Sequence, residues 1–457
     1  MRKRAIFFGI VVAVIALIIL APVTIVSWEY TNSDAFCTNA CHQVHPEESQ
    51  SHKLLSRHRE VACVECHIGR MDFFDSLWDK VGHTSHAWAM LIGYERPVHS
   101  KSLQAADKSC IRCHTADSHP KNTLHTVERF AEDKKNSSQA THLVMRLHGR
   151  QFGRETSLGL DWHTSGAISY WSSDPQQTQI HKVVATLPDG TQRTYTDIRA
   201  EAATVNGQAV ERELDCLGCH NRVGHPFPGP DKILDDLFAN GTLPRTLPYL
   251  KQELMNLYRQ NTQPVEDRPA RERLRDDIRQ ILAQHTREAQ EEPSASPGLS
   301  AERLDQLEEL VEAWIVSAIN LRSHEMDWQN FPSHTGHTKS PGCLRCHSGR
   351  LQTEDKQIIP VNCTTCHSIP LVMKGRSIPT YFLEQLDLRK PRDHRDETYL
   401  AIHMDQDTES CDRCHGAIDY GEDDKSHCSN SGCHGREWKY LDLEAVRAAL
   451  APAEAGQ

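Results

Sequence analysis

The stretch Cys343-Leu-Arg-Cys346-His347 holds two cysteines separated by two residues, and a histidine directly follows the second one. Two longer versions have three and four residues between the cysteines, at Cys37–Cys41–His42 and Cys428–Cys433–His434. All 16 cysteines of the chain belong to motifs of this kind. The other motifs with the two-residue spacing are Cys63–Cys66–His67, Cys110–Cys113–His114, Cys216–Cys219–His220, Cys363–Cys366–His367 and Cys411–Cys414–His415.

Two thiols followed by a histidine are the signal for covalent attachment of a c-type haem, in which the histidine binds the iron. A zinc ribbon or a disulfide framework does not require a histidine after every second cysteine. The motifs therefore predict eight covalent c-type haems. Their proximal iron ligands are His42, His67, His114, His220, His347, His367, His415 and His434.

The number of histidines agrees with this prediction. The chain has 28, which is enough to give each iron a second axial histidine. No motif ends in lysine, so the sequence contains no sign of a lysine-ligated catalytic haem. The net charge of −11 argues against nucleic acid as a partner and favours a basic redox partner.

The run Ala5–Trp28 contains no charged residue and follows Arg2, Lys3 and Arg4. A run of this length predicts a helix that spans the bilayer, with residues 1–28 as a single-pass anchor in the inner membrane. The basic flank stays in the cytoplasm, which places the haems in the periplasm. A cleaved signal peptide is the alternative, but no small-x-small cleavage site precedes Glu29.

The predicted fold is mainly α with much irregular coil: a multihaem array behind one N-terminal transmembrane helix, with one small β-hairpin insertion. Haems one to four occupy 29–228, which includes a β-containing insertion at 135–212. A haem-free helical segment follows at 229–330. Haems five and six occupy 331–380, and a C-terminal module at 381–457 carries haems seven and eight.

Local patterns support this outline. The apolar alternation from Lys182 to Leu187, the turn signal Pro188-Asp-Gly190 and the run from Gln192 predict the hairpin. A helix beginning after Ser300 carries an apolar stripe that faces either neighbouring helices or a partner such as a second copy of the chain. The stripe consists of Leu304, Leu307, Val311, Trp314, Ile315, Ala318 and Ile319.

Over about residues 30 to 370 the chain resembles the NapC/NirT family of membrane-anchored multihaem cytochromes, and the longer, ImcH-like inner-membrane members look closer still. The resemblance is carried by the apolar N-terminus, by Phe36-Cys-Thr-Asn-Ala-Cys-His-Gln-Val-His-Pro-Glu-Glu48, and by Cys63-Val-Glu-Cys-His67. It extends to Asp215–Arg222 and to Pro341–Gly349. Short family members have a methionine two residues after the first haem-binding histidine, where this chain has Val44 followed by His45.

The resemblance implies a quinol dehydrogenase of the inner membrane that passes electrons to a periplasmic cytochrome or reductase. It also suggests distal iron ligands at His52, His163, His225, His337 and His403. His45 is a candidate for the first haem, and His83, His86 and His119 are further candidates. The alternative for each is a surface histidine or one that supports a ligand. His285, in a charged helix away from any motif, is predicted not to bind iron.

Quinol oxidation releases two protons with two electrons, so the site needs a titratable group. Lys80 is the nearest match to a family lysine that follows the second haem, and Asp75 and Asp79 are local carboxylates. The alternative is that all three are ordinary charges on an amphipathic helix.

Other functions remain open at this stage. A reductase of a small oxyanion such as nitrite, tetrathionate or sulfite needs an iron with an open position in a cationic pocket. A structural electron conduit of stacked chains is a third alternative. The spin state of the iron separates the first two, because an electron carrier has low-spin iron throughout.

Overall fold

A computed structural model of the chain describes residues 2–41, 46–69, 73–82, 88, 92–93, 106–114, 123–147, 150–151, 154–155, 159–164, 168–187, 189–200, 209–291, 299–361, 363–368, 370–374 and 437–450. The chain forms two compact units. The first comprises Met1–His114 together with Val223–Pro226, and the second comprises Thr115–Arg222 and Phe227–Gln457.

The first unit is helical in the residues described. Its elements are α1 (Arg2–Thr31), α2 (Asp34–Phe36), a π-helical turn (Cys37–Cys41), α3 (Pro46–Leu55), α4 (Cys63–His67), α5 (Phe73–Gly82) and α6 (Ala106–Ser109). Ser33 caps α2 by accepting a hydrogen bond from the backbone N–H of Phe36. Among the described helices, none combines the length and the apolar character that crossing a membrane requires.

The second unit contains three antiparallel sheets. Strands β1 (Thr123–Phe130), β2 (Ser138–Met145) and β10 (Leu371–Lys374) pair in the order β1-β2-β10, and β3 (Arg150–Gln151) pairs with β4 (Arg154–Glu155). The largest sheet contains β5 (Ile168–Ser172), β6 (Ile180–Thr186), β7 (Gln192–Asp197), β8 (Val210–Glu213) and β9 (Leu351–Gln352), in the order β8-β5-β6-β7-β9.

The predicted hairpin is confirmed, because β6 and β7 pair antiparallel, with Val183 opposite Tyr195 and Thr186 opposite Gln192. The prediction of a mainly α fold with one small hairpin is wrong in extent, since the described chain mixes helices and sheets. Strand β10 adds to β2 from far along the sequence. Pairing of such short, distant strands leaves no local periodicity in the sequence.

Helices fill the predicted haem-free segment. They are α8 (Pro230–Ala239), α9 (Leu250–Gln260), α10 (Arg268–Gln290) and α11 (Ala301–Ser323), and shorter helices lie elsewhere at α7 (Cys216–Cys219), α12 (Cys363–Cys366) and α13 (Leu443–Leu450). Ser300 caps α11 by accepting from the N–H of Arg303. On the predicted stripe, Leu307, Val311 and Ile319 are buried within the chain itself.

A buried ion pair joins the helices to the first sheet of this unit. The Lys251 ammonium donates to the Asp235 carboxylate at 2.5 Å and to the carbonyl of Phe130 at 2.6 Å. The same carboxylate accepts from the Phe130 N–H at 2.9 Å. Because each charge has a partner and further hydrogen bonds, α8, α9 and the end of β1 are held in one arrangement.

Candidate haem sites

Four of the five attachment histidines that the structure describes have the ring of a second histidine about 6 Å away. An imidazole nitrogen lies about 1.1 Å from its ring centroid and binds a metal at about 2 Å, so two imidazoles across one iron have centroids about 6 Å apart. The observed centroid separations are 5.9 Å for His67–His225, 6.0 Å for His114–His58, 6.0 Å for His347–His163 and 6.2 Å for His367–His337. Each pair therefore fits the two axial positions of one haem.

Hydrogen bonds orient several of these imidazoles. Because a carbonyl oxygen only accepts, a ring nitrogen in contact with one carries the hydrogen, which leaves the lone pair on Nε2 when the contact is at Nδ1. Metal-binding histidines commonly use this arrangement. The Nδ1–carbonyl contacts are His225 to Glu48 at 2.8 Å, His163 to Leu160 at 3.2 Å, His347 to Pro360 at 2.5 Å and His367 to Ser368 at 2.5 Å.

Burial has a further effect at the fifth motif. It lowers the pKa of His347 to about 4, which keeps the imidazole neutral at neutral pH. A neutral imidazole is the form that binds a metal. The protonation state and the orientation of His347 are thus both suited to an axial ligand.

His52 and His225 were both predicted as distal iron ligands, but their contacts in the structure differ. The ring nitrogens of His52 lie 3.1 Å from the carbonyl oxygens of Gly224 and Val61, and its ring lies 5.8 Å from that of His225. Both ring nitrogens of His52 are thus used in backbone contacts, whereas His225 uses only Nδ1 for the Glu48 carbonyl and its ring lies 5.9 Å from that of His67.

His58 was missed by the sequence analysis. It lies nine residues before His67, yet it faces His114 of the third motif. The second and third motifs are also joined directly, because Arg112 and Glu65 form an ion pair at 2.8 Å. Each of these residues immediately precedes the second cysteine of its motif, so one contact brings two attachment sites together.

The first and second motifs are in contact as well. The Asp34 carboxylate accepts a hydrogen bond from the N–H of Cys63 at 2.9 Å, and the thiols of Cys37 and Cys63 share another. This thiol–thiol bond lowers the pKa of Cys37 to about 7 and raises the pKa of Cys63. Cys37 of the first motif and Cys63 of the second are therefore close to each other in space.

Arg345 links the fourth and fifth motifs in the second unit. Its buried guanidinium donates to the carbonyl of Gly218, inside the fourth motif, at 2.6 Å. It also donates to the carbonyls of Gln177 at 2.9 Å and Gly342 at 3.0 Å. Like Arg112, it immediately precedes the second cysteine of its motif, and it carries a positive charge between two haem sites.

His334 lies beside the fourth motif, in a different role from the paired histidines. Its ring nitrogens lie 2.8 Å from the carbonyl oxygens of Gly218 and Gln176. Burial and the charge of Arg345 lower its pKa to about 4, so at neutral pH the ring has one N–H and donates to one of the two carbonyls at a time. His334 supports the backbone of the fourth motif.

The sixth motif is built onto the first sheet of the second unit. The Arg146 N–H donates to the carbonyl of Cys366 at 2.9 Å, and the Val144 N–H donates to the hydroxyl of Ser368 at 3.0 Å. Burial, followed by the charge of Cys343, raises the pKa of Cys366 to about 12. The fifth and sixth motifs are thus close enough for their thiols to interact.

Lys80 lies near the first motif, at the end of α1. Its ammonium donates to the Thr31 hydroxyl at 2.9 Å and lies 4.0 Å from the centroid of the Trp28 ring. Burial lowers the pKa of Lys80, and the negative charge available to Cys37 opposes this shift. Asp75 is exposed on α5, and Asp79 lies on the same helix.

The remaining predicted sites fall on residues that the structure does not describe. They are His42, His45, His83, His86, His119, His403, Cys411, Cys414, His415, Cys428, Cys433 and His434. His285 is buried on α10 and contacts Glu288. Within the described ranges, no group of three or more histidine, cysteine, aspartate or glutamate side chains could hold a bare metal ion.

The chain is similar to the cytochrome c-type protein ImcH of Geobacter sulfurreducens (strain ATCC 51573 / DSM 12127 / PCA). The two are 25% identical over 385 residues, which cover 83% of this chain and 73% of the relative. No family model and no solved structure matches the chain. The attachment motifs and this similarity together support a multihaem c-type cytochrome with covalent haem, while membership of the NapC/NirT family is not confirmed.

Proposed function

We propose that this protein transfers electrons through covalently attached haems whose irons are held between two histidines. The observation that carries the proposal is the set of four histidine pairs at about 6 Å. Haem iron supplies a one-electron ferric–ferrous couple, and two protein ligands leave no open position for a substrate. The pairs therefore favour an electron carrier over the alternative reductase of a small oxyanion.

Single histidine variants test this proposal. H225A and H58A should each turn one haem from low-spin to high-spin, because each removes one of the two axial ligands. H52A is the matched control, since His52 contacts backbone carbonyls, and it should keep every haem low-spin. Electron paramagnetic resonance of the oxidised proteins measures the outcome. High-spin haem in H52A but not in H225A would contradict these assignments.

The contacts between motifs suggest the routes that electrons take. In the first unit, Asp34 joins the first and second motifs, and the Glu65–Arg112 pair joins the second and third. In the second unit, Arg345 joins the fourth motif to the fifth. The fifth motif is linked to the sixth through Gly336, whose carbonyl accepts from the Cys343 N–H, and its neighbour His337, whose ring lies 6.2 Å from that of His367. We propose that electrons move along each series in this order.

We propose that a quinol, in the menaquinol class, supplies the electrons near the first haem. Lys80 supports this site, because its partly buried ammonium lies beside the first motif and has a lowered pKa. We propose that the acceptor of these electrons is a soluble cytochrome or reductase in the periplasm. The comparison with ImcH supports electron transfer but does not extend to quinol.

The proposed location of the protein in the inner membrane rests on the uncharged run Ala5–Trp28, which follows three basic residues. We expect protein extracted from membranes to retain its N-terminus, and its mass to equal the chain plus eight haems, because every cysteine belongs to a motif. N-terminal sequencing and intact mass measure both properties. A chain that starts near residue 29, or a mass that fits six haems, would contradict this expectation.

A further inference from the structure

The segment Glu437–Leu450, the docking segment, packs against the fifth and sixth haem sites. The ring of Trp438 lies 5.8 Å from that of His337, at an angle of 40°. The Tyr440 hydroxyl donates to the carbonyl of Lys339 at 3.0 Å, and the Asp442 N–H donates to the carbonyl of Ser348 at 2.9 Å. Three alternate residues of the segment thus contact the stretch from His337 to Ser348, which contains the fifth motif.

The end of the docking segment fits closely against the same block. Val446 is fully buried, and a Cβ added at Gly349 would lie 2.5 Å from its side chain. Asp442 caps α13 by accepting from the N–H of Ala445 at 3.1 Å and also pairs with Arg199 at 2.5 Å. Burial, capping and ion pairing show a specific attachment rather than a loosely resting tail.

Trp438 contacts His337, which faces the attachment histidine of the sixth motif at 6.2 Å. A large ring packed against an axial imidazole limits its rotation and keeps water from that side. Both effects influence haem potential, because orientation of the ligand and solvent exposure around the haem are among the factors that set it.

We infer that Trp438 is a positioning residue for the sixth haem, and that the docking segment holds its ring against His337. This inference rests on the proposed electron-transfer function.

A redox titration of the full-length holoprotein tests the role of Trp438. W438A should shift the midpoint potential of one haem and alter one low-spin resonance, because the His337 imidazole loses its packing partner. W438F keeps a ring at this position and should return both properties toward the wild-type values. K439R keeps the charge of the exposed neighbouring side chain and should leave the potentials unchanged.

Two results separate this inference from the proposed function. If W438A matches the wild type in potentials and resonances while all haems are low-spin, Trp438 is not a positioning residue and the electron-carrier function stands. If the wild-type protein contains high-spin iron at the sixth haem, which H337A would leave unchanged, the paired-histidine proposal itself fails there. Haem content by pyridine haemochrome assay shows that each variant is fully loaded.

Discussion

Replacing Lys80 with methionine should slow reduction of the haems by a menaquinol analogue by about 10²- to 10⁴-fold, the usual contribution of a positioned acid or base. Lys80 lies beside the first motif, bonded to Thr31 and packed on the ring of Trp28. Burial lowers its pKa, which makes the neutral amine more accessible for taking up a proton from quinol. Once Cys37 becomes a thioether it can no longer carry the charge that opposes this shift.

Stopped-flow absorbance in detergent measures this effect, and dithionite provides the control reductant. K80M should be reduced by dithionite at the wild-type rate, because dithionite does not depend on the quinol site. K53M removes an exposed lysine of the same unit and should match the wild type with both reductants. The wild-type rate with quinol should rise with pH as Lys80 loses its proton, and K80M should lose this dependence. Equal quinol rates in K80M and K53M would place the proton acceptor elsewhere.

Features whose signals are local could be predicted from the sequence. The haem attachment motifs occupy a few consecutive residues, and the hairpin is marked by Pro188-Asp-Gly190 between two alternating runs. Helix α11 begins where Ser300 provides a cap, and its apolar stripe is buried against the chain's own helices. In each case the information lies within one or two turns of chain, where propensity and spacing act directly.

The axial pairs could not be predicted in this way, because they are tertiary contacts. His58 and His52 are only six residues apart and belong to the same histidine-rich stretch. In the part of the chain that the structure describes, the ring of His58 lies 6.0 Å from that of the attachment histidine His114, whereas the ring of His52 lies 5.8 Å from that of His225. His225 follows the fourth motif in the sequence, yet its ring donates to the carbonyl of Glu48 and lies 5.9 Å from the ring of His67 in the second motif. Strand β10 joins β2 in the same long-range manner. Spacing within the sequence does not encode which distant segments meet.

Replacing Arg345 with glutamine should lower the midpoint potentials of the fourth and fifth haems. A unit positive charge stabilises the reduced iron, which is the less positive state. If the Arg345 charge and a haem iron are about 10 Å apart, an effective dielectric constant of about 20 gives an interaction of about 1.7 kcal/mol between them. This corresponds to about 70 mV for a one-electron couple. Arg345 is 7% exposed, so solvent screens its charge little.

R345K separates the charge of Arg345 from its hydrogen bonds. Lysine keeps the charge but cannot reproduce the guanidinium contacts with Gly218, Gln177 and Gly342. Each buried carbonyl left without a donor costs about 1–3 kcal/mol; Gly218 can still accept from His334. We therefore expect R345K to retain near-wild-type potentials with reduced thermal stability. R345Q should have both lower potentials and reduced thermal stability.

Spectroelectrochemical titration and thermal denaturation monitored at the Soret band measure these two properties. R193Q removes an exposed arginine of the same unit that bonds to Gln357, and it should change neither. The charge argument requires R345Q and R345K to differ in potential, since they differ in charge at one position. If they titrate identically, Arg345 acts only through the backbone of the fourth motif, and the potentials of these two haems are set by their axial histidines and burial.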